Sequence, residues 1–158
     1  MFGRILLAID CWPESRAAIR AARDIACASE AEVLVLHVRE REHARSVVWE
    51  PGLPGDAQEL VECTVYQLAR LGLRVRRIDR MAPVGRVPQA IVDVATEERV
   101  DLIVVGTRGL SCVRGLFSGS VGHRLIRLAE QPVLIARPTG HDNFRQTSRK
   151  HAASQHTG

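Results

Sequence analysis

Residues 101–106 read Asp-Leu-Ile-Val-Val-Gly (DLIVVG) and form the strongest strand signal in the chain. A short, continuously apolar and β-branched run that ends at a glycine is typical of a strand buried on both faces. Comparable runs occur at residues 4–10 (RILLAID), 33–38 (VLVLHV) and 132–137 (PVLIAR). Amphipathic helical stretches separate them, which predicts βαβ units around a parallel sheet.

A fifth strand is predicted at residues 73–80, where Arg76 and Arg77 interrupt the apolar pattern and indicate a position near a sheet edge. Predicted helices open at Pro13, at the capping-box pair Asp56 and Glu59, and at Pro88, and a fourth spans 121–129. Residues 39–55 are expected to form a loop, and Gly72 to end the second helix. The fold class is therefore an open five-stranded α/β domain.

Composition narrows the possible chemistry of this 158-residue chain. Lys150 is the only lysine among 22 basic residues, so Schiff-base chemistry, a phosphate-loop lysine and a kinase-type lysine are excluded from the predicted domain. The net charge of +4 is thinly spread and aromatic residues make up only 4%, which argues against a nucleic-acid partner. The polar segment 138–158 predicts a disordered tail.

Cysteine usage and hydropathy bear on the cellular compartment. The four cysteines form no CxxC pair and no Cys/His metal spacing, so we expect no metal site. The apolar start ends at Asp10, too short for a signal peptide, and no apolar run approaches the ~18 residues that span a bilayer. We expect a cytoplasmic protein without a membrane partner.

The segment that follows residues 101–106 carries the main functional signal. Gly106-Thr-Arg108-Gly109 is followed, after nine residues, by Gly119-Ser120 at a helix start. Glycines permit sharp turns and close ligand approach, and a helix N-terminus attracts anions. Arg108 offers a positive charge to phosphate oxygens. Alternatively, the glycines serve turns and Ser120 serves as a cap.

The spacing Gly-x2-Gly-x9-Gly-Ser after an apolar strand resembles the nucleotide loop of the universal stress protein family. Further similar landmarks are the strand ending at Asp10, the Leu36-His37-Val38 segment, Gly85 before a helix, and residues 132–136. The resemblance covers residues 1–137. It implies a Rossmann-like fold of the adenine nucleotide alpha hydrolase type, with strand order 3-2-1-4-5.

The resemblance also implies a ligand, a site and an assembly. In ATP-binding members the counterpart of Asp10 lies beside ribose and adenine, and backbone at the counterpart of Val38 reads the base. The implied nucleotide-binding residues are Asp10, Val38, Gly106, Arg108, Gly109, Gly119, Ser120 and Val121. The implied ligand is ATP, with any Mg²⁺ carried by the nucleotide, and the implied partner is a second copy paired through Val133–Arg137.

The chain departs from the family pattern at two places. Gly122-His123 stands where the family usually has a small residue followed by an acidic or polar one, and Gly122 is expected to weaken the first helical turn. Cys11-Trp12-Pro13 stands where the family often has small polar residues. No catalytic residues are predicted, because no carboxylate pair is evident and His37 is expected to be packed. The favoured function is a nucleotide-dependent regulatory module with at most slow ATP hydrolysis. The alternatives are a member acting only through protein contacts, a slow ATPase, and a redox sensor using Cys11 and Cys112.

Overall fold

The computed structural model describes residues 1–10, 15–41, 54–107 and 121–138. Their elements alternate between strand and helix along the chain, as the sequence predicts. In order they are β1 (Arg4–Ala8), α1 (Ser15–Ser29), β2 (Glu32–Arg41), α2 (Pro54–Arg70), β3 (Val75–Pro83), α3 (Val87–Glu97), β4 (Leu102–Gly106), α4 (Val121–Leu128) and β5 (Val133–Ala136).

The five strands form one parallel sheet with the order β3-β2-β1-β4-β5. This confirms the predicted fold class and strand order, including the edge position of β3. The first strand lies at the centre, where Ala8 pairs with Leu36 of β2 on one side and with Val105 of β4 on the other. The chain first winds outward from β1 to β3 and then crosses back to β4.

Helices cover both faces of the sheet, each over its own apolar cluster. On one face, Ala18 and Ala22 of α1 and Val61 of α2 pack over Ile5 and Leu7. On the other face, Val94 of α3 and Leu125 of α4 pack over Leu6 and Ile103. Neighbouring β1 residues therefore enter opposite clusters, which explains why a strand buried on both sides shows no polar alternation.

The predicted boundaries of β2, β3 and α2 were wrong. The strand β2 continues beyond Val38 to Arg41, and β3 starts later and continues to Pro83, because the two strands remain paired as far as Arg41 and Pro83. The helix α2 begins at Pro54, so Asp56 lies inside the helix instead of capping it. Proline is readily accommodated in a first turn, where its missing N–H removes no helical hydrogen bond.

Three helices end with a residue of positive φ. Gly72 (φ 81°) follows α2 as predicted, but the corresponding residues after α1 and α3 are Glu30 (φ 55°) and Arg99 (φ 51°). After α3, the Val100 N–H donates to the Ala95 carbonyl and the Arg99 N–H to the Thr96 carbonyl. These two hydrogen bonds make a Schellman motif. After α1, the Ala31 N–H donates to the Ala26 carbonyl, which corresponds to the bond between Val100 and Ala95 after α3.

Within the described ranges, no helix combines the length and the apolar content that crossing a bilayer requires.

Candidate functional site

The carboxyl ends of β1 and β4 mark the point where the chain reverses its direction across the sheet. In open α/β sheets, ligands bind in the crevice outside the strands at such a point. Asp10 and Val38 each lie two residues beyond the Ala8–Leu36 pair, and Gly106 lies one residue beyond the Ala8–Val105 pair. The structure therefore brings three predicted site residues to one edge of the sheet.

The segment that follows β1 remains attached to β2. The Ile9 N–H donates to the Leu36 carbonyl at 3.0 Å, and Nδ1 of the half-buried His37 lies 3.3 Å from the Ile9 carbonyl. A carbonyl oxygen accepts, so this contact places the hydrogen on Nδ1. His37 thus anchors the backbone beside Asp10, which agrees with its predicted packing role.

Ser15, the first residue of α1, connects that helix to Asp10. Its hydroxyl oxygen lies 2.8 Å from Oδ1 of Asp10, 3.0 Å from the Asp10 carbonyl and 3.2 Å from the Asp10 amide nitrogen. The hydroxyl donates its one hydrogen to an oxygen while its own oxygen accepts from the amide. Ser15 is 4% exposed, so these contacts are largely shielded from water.

Two predicted site residues lie at the end of β4 and at the start of α4. The Thr107 N–H donates to the Ala136 carbonyl at 2.9 Å, so the residue after Gly106 is still held against β5. Val121 begins α4 and packs against the same apolar cluster as Val38. The first turn of α4 contains no acidic residue, so its N-terminal dipole is not offset by a carboxylate in that turn.

A turn between β3 and α3 connects β2 with α4. Gly85 has φ 77°; its N–H donates to Oε1 of Glu40 at 2.8 Å, and its carbonyl accepts from Nη1 of Arg124 at 2.9 Å. Glu40 lies two residues beyond Val38 on β2, and Arg124 lies one turn beyond Val121 on α4. The backbone of Gly85 therefore bridges the two elements that carry those site residues.

Four of the predicted nucleotide-binding residues lie within the described part of the chain: Asp10, Val38, Gly106 and Val121. The others, Arg108, Gly109, Gly119 and Ser120, lie outside the described residues, as do Cys11, Trp12, Cys112 and the tail from residue 139. Sequence reasoning did not find Ser15, Glu40 or Arg124. A serine at the start of the helix after β1 is the one signal that could have indicated Ser15.

One ion pair on β3 lies in register with His37 of β2. On β3, the Arg77 guanidinium donates to both oxygens of Asp79, and this hydrogen bonding holds the pKa of that carboxyl below its usual range. Asp79 pairs in register with His37. The described residues contain no group of three His, Cys, Asp or Glu side chains that could hold a metal ion.

Curated relatives match nearly the whole domain. A universal stress protein from Thermus aquaticus is 34% identical over 139 residues, covering 87% of this chain and 100% of the relative. The universal stress protein YxiE from Bacillus subtilis is 32% identical over 151 residues, again covering 87% of this chain and 100% of the relative.

Solved structures of similar fold include three nucleotide complexes. A universal stress protein in complex with cAMP has a TM-score of 0.68 at 22% identity, covering 87% of this chain and 99% of that one. A universal stress protein family protein from Arabidopsis thaliana with AMP bound has a TM-score of 0.62 at 18% identity, covering 88% of this chain and 94% of that one. An Archaeoglobus fulgidus protein in complex with dAMP has a TM-score of 0.62 at 21% identity, covering 86% and 98%.

The sequence profile of the universal stress protein family matches residues 1–137, from the residues before β1 to the residue after β5. The matched region contains the whole sheet, its four helices and every residue of the crevice described above. The chain belongs to the universal stress protein family.

Proposed function

We propose that this protein binds an adenine nucleotide, with ATP as the expected ligand, at the carboxyl edge of its sheet. The observation that supports this most directly is the meeting of Asp10, Val38 and Gly106 at the switch point between β1 and β4. Complexes of similarly folded proteins with cAMP, AMP and dAMP support an adenine nucleotide as the class of ligand.

In the proposed arrangement, each part of the crevice recognises one part of the ligand. The Asp10 carboxylate accepts hydrogen bonds from the ribose, and the β2 backbone at Val38 contacts the base. Gly106, Arg108 and Gly109 approach the ribose and phosphates. Gly119, Ser120 and Val121 then hold the phosphate chain with N–H groups at the start of α4. Arginine and N–H groups would replace the lysine that the domain lacks.

We propose that the site binds its nucleotide and does not act chiefly as a catalyst. Phosphoryl transfer requires a group that orients the attacking nucleophile and usually metal ions held by protein carboxylates. Asp10 is already hydrogen-bonded to Ser15, and His37 contacts the Ile9 carbonyl. We therefore propose a nucleotide-dependent regulatory module in the stress response, with ATP hydrolysis slow at most and any Mg²⁺ carried by the nucleotide.

Calorimetric titration with ATP, ADP and AMP tests this proposal. Asp10→Ala should weaken binding by about tenfold or more, because it removes a charged acceptor from the ribose. Asp93→Ala is the matched control, since Asp93 lies exposed on α3. Within the described residues, its carboxylate accepts a hydrogen bond from the Gln89 side chain of the same helix. Unchanged affinity in Asp10→Ala would contradict the proposed placement of the nucleotide.

Thermal denaturation separates this function from one based on protein contacts alone. A nucleotide present at 100 times its Kd should stabilise the folded protein by about 2.7 kcal/mol. A family member that acts only through protein contacts would melt at the same temperature with or without ATP, ADP or AMP.

We also propose that the protein acts as a homodimer paired through Val133–Arg137. The strand β5 is an edge strand, and all four of its residues are apolar and only half-buried in the single chain. An apolar edge strand leaves backbone N–H and C=O groups unpaired along one side, and pairing with a second copy would satisfy them.

A further inference from the structure

We propose that Ser15 is a positioning residue that orients the Asp10 carboxylate for nucleotide recognition. This inference rests on the proposed function, because it concerns how Asp10 would meet the ribose. It assigns a role in the site to a side chain on α1, whereas the proposed ligand contacts come from the sheet edge and α4.

The contacts between the two residues differ from those of a simple helix cap. A capping serine accepts hydrogen bonds from the N–H groups of its own helix. In the described structure, the three hydrogen-bond contacts of the Ser15 hydroxyl all reach Asp10, five residues earlier, at 2.8, 3.0 and 3.2 Å. The shortest of them reaches the carboxylate.

These contacts restrain Asp10 in two ways. The amide contact fixes the backbone where the chain leaves β1, and the Oδ1 contact restricts rotation of the carboxylate about its Cβ–Cγ bond. That rotation is otherwise broad, because torsions ending in a planar carboxylate have only shallow preferences. A ribose hydroxyl needs an acceptor in a defined direction, so a fixed carboxylate binds it with a smaller loss of entropy.

Burial strengthens this restraint. Ser15 is 4% exposed, so water competes little for its hydroxyl. The helix that carries Ser15 is itself fixed, because Ala18, Ala22 and Ala26 pack into the core below it. Because α1 is fixed by core packing, Ser15 is fixed too, and its hydroxyl holds the Asp10 carboxylate in a defined orientation at the carboxyl edge of the sheet.

The test compares AMP with 2′,3′-dideoxy-AMP, which lacks the ribose hydroxyls, by calorimetry on the full chain. Wild-type protein should prefer AMP by about tenfold or more, the value of a hydrogen bond to a charged group. In Ser15→Ala this preference should fall to about threefold or less, with most of the loss in AMP affinity. A residue that supports only the fold would weaken both ligands equally and leave the preference unchanged, and that result would overturn the proposal.

Three further variants complete the design. Ser15→Thr keeps the hydroxyl and should restore the preference, whereas Ser15→Cys fills the same space with a weak donor and should lose it. The cysteine variant covers the case in which Ser15→Ala does not fold. Ser29→Ala is the matched control, because Ser29 lies at the far end of α1 and its hydroxyl donates to the Ile25 carbonyl at 2.8 Å. Its preference should equal that of the wild type.

The two proposals fail in different ways. If wild-type protein binds neither AMP nor its dideoxy analogue, the proposed function is wrong and this inference is wrong with it. If wild-type protein prefers AMP and the Ser15→Ala and Ser15→Cys variants keep that preference in full, only the positioning role of Ser15 is wrong.

Discussion

Gly122 lies in the first turn of α4, where it packs directly against β5. A Cβ atom at this position would lie 3.0 Å from Cδ1 of Ile135 and 3.4 Å from Cγ1. The sequence marks Gly122 as a departure that weakens the helix start, and the structure supplies its reason, because the missing Cβ allows α4 to approach the sheet closely.

A double-mutant cycle at this contact should reveal coupling. Gly122→Ala improves helix propensity by about 0.5–1 kcal/mol, but in the wild-type background the contact with Ile135 should cancel that gain. Ile135→Val removes Cδ1, so in that background Gly122→Ala should stabilise the protein. Urea denaturation of the four proteins measures the coupling energy, and equal effects of Gly122→Ala in both backgrounds would contradict this contact.

The residues that end the helices give a second prediction at the residue scale. Arg99 is exposed and has φ 51°, a conformation that costs a side chain about 1–2 kcal/mol and costs glycine little. Arg99→Gly should therefore raise the free energy of unfolding by about 0.5–1 kcal/mol. Gly72→Ala, at φ 81°, should lower it by about 1 kcal/mol. Chemical denaturation measures both, and destabilisation by Arg99→Gly would refute the argument.

At the scale of elements, the charged residues of β3 suit its position at the edge of the sheet. Arg77 donates to Asp79 within the strand and contacts Glu62 of α2 at 3.3 Å, while Arg76 and Arg80 pair with Glu98 and Glu97 near the end of α3. Such charges belong at a strand with one open side, where they discourage pairing with other chains.

The Arg77–Asp79 pair predicts a pH-dependent contribution to stability. Hydrogen bonding from Arg77 lowers the pKa of Asp79, so the folded state keeps this carboxylate charged at a pH where the unfolded chain protonates it. The contribution is complete above the ordinary aspartate pKa of about 3.9 and is lost as the pH falls through the folded pKa. Arg77→Gln should therefore lower the free energy of unfolding at pH 7 by up to about 1 kcal/mol and have progressively less effect in acid.

Denaturation across this pH range provides the measurement. Arg23→Gln is the control, because Arg23 contacts only its helical neighbour Asp24 among the described residues and both side chains are well exposed. It should change stability little at any of these pH values. An effect of Arg77→Gln that persists undiminished in acid would show that packing, and not the ion pair, makes the contribution.

Patterns within single elements predicted most of this fold. The apolar run of β4 and the arginines of β3 were sufficient to place one strand in the interior of the sheet and the other at its edge. The continuation of β2 to Arg41 was not predictable, because residues 39–41 are charged and give no strand pattern. Their strand structure depends on pairing with Met81, Ala82 and Pro83 of the distant β3. The start of α2 at Pro54 was missed for a different reason, since the capping-box pattern at Asp56 competed with a proline suited to a first turn.

The site was predictable to the extent that topology determines it. Once the strand order is given, Asp10 and Gly106 must share one edge of the sheet. The contact of Ser15 with Asp10 and the bridge from Glu40 through Gly85 to Arg124 depend on side-chain geometry, which no spacing in the sequence encodes.

At the scale of the whole molecule, the two edges of the sheet differ in character. The strand β3 carries paired charges, whereas β5 offers four apolar residues. Val133→Lys should shift a dimer formed through β5 toward monomer, because a charge on an edge strand opposes strand pairing. Met81→Lys is the matched control on the opposite edge strand, where Met81 is 47% exposed. Sedimentation equilibrium measures both, with circular dichroism to check the fold, and equal masses for the two variants would contradict a β5 dimer.

The difference between the two edge strands also limits how many copies of the chain could associate. A sheet whose two edge strands could both pair with other copies would add copies without limit and form a fibre. Here the edge strand β3 carries guanidinium and carboxylate groups, so we propose that only β5 is available for pairing. Two copies related there by a twofold rotation would each occupy the free edge of the other. The proposed dimer would therefore be closed and finite. Each half would keep its own proposed nucleotide site, and no apolar edge strand would remain to recruit a third copy.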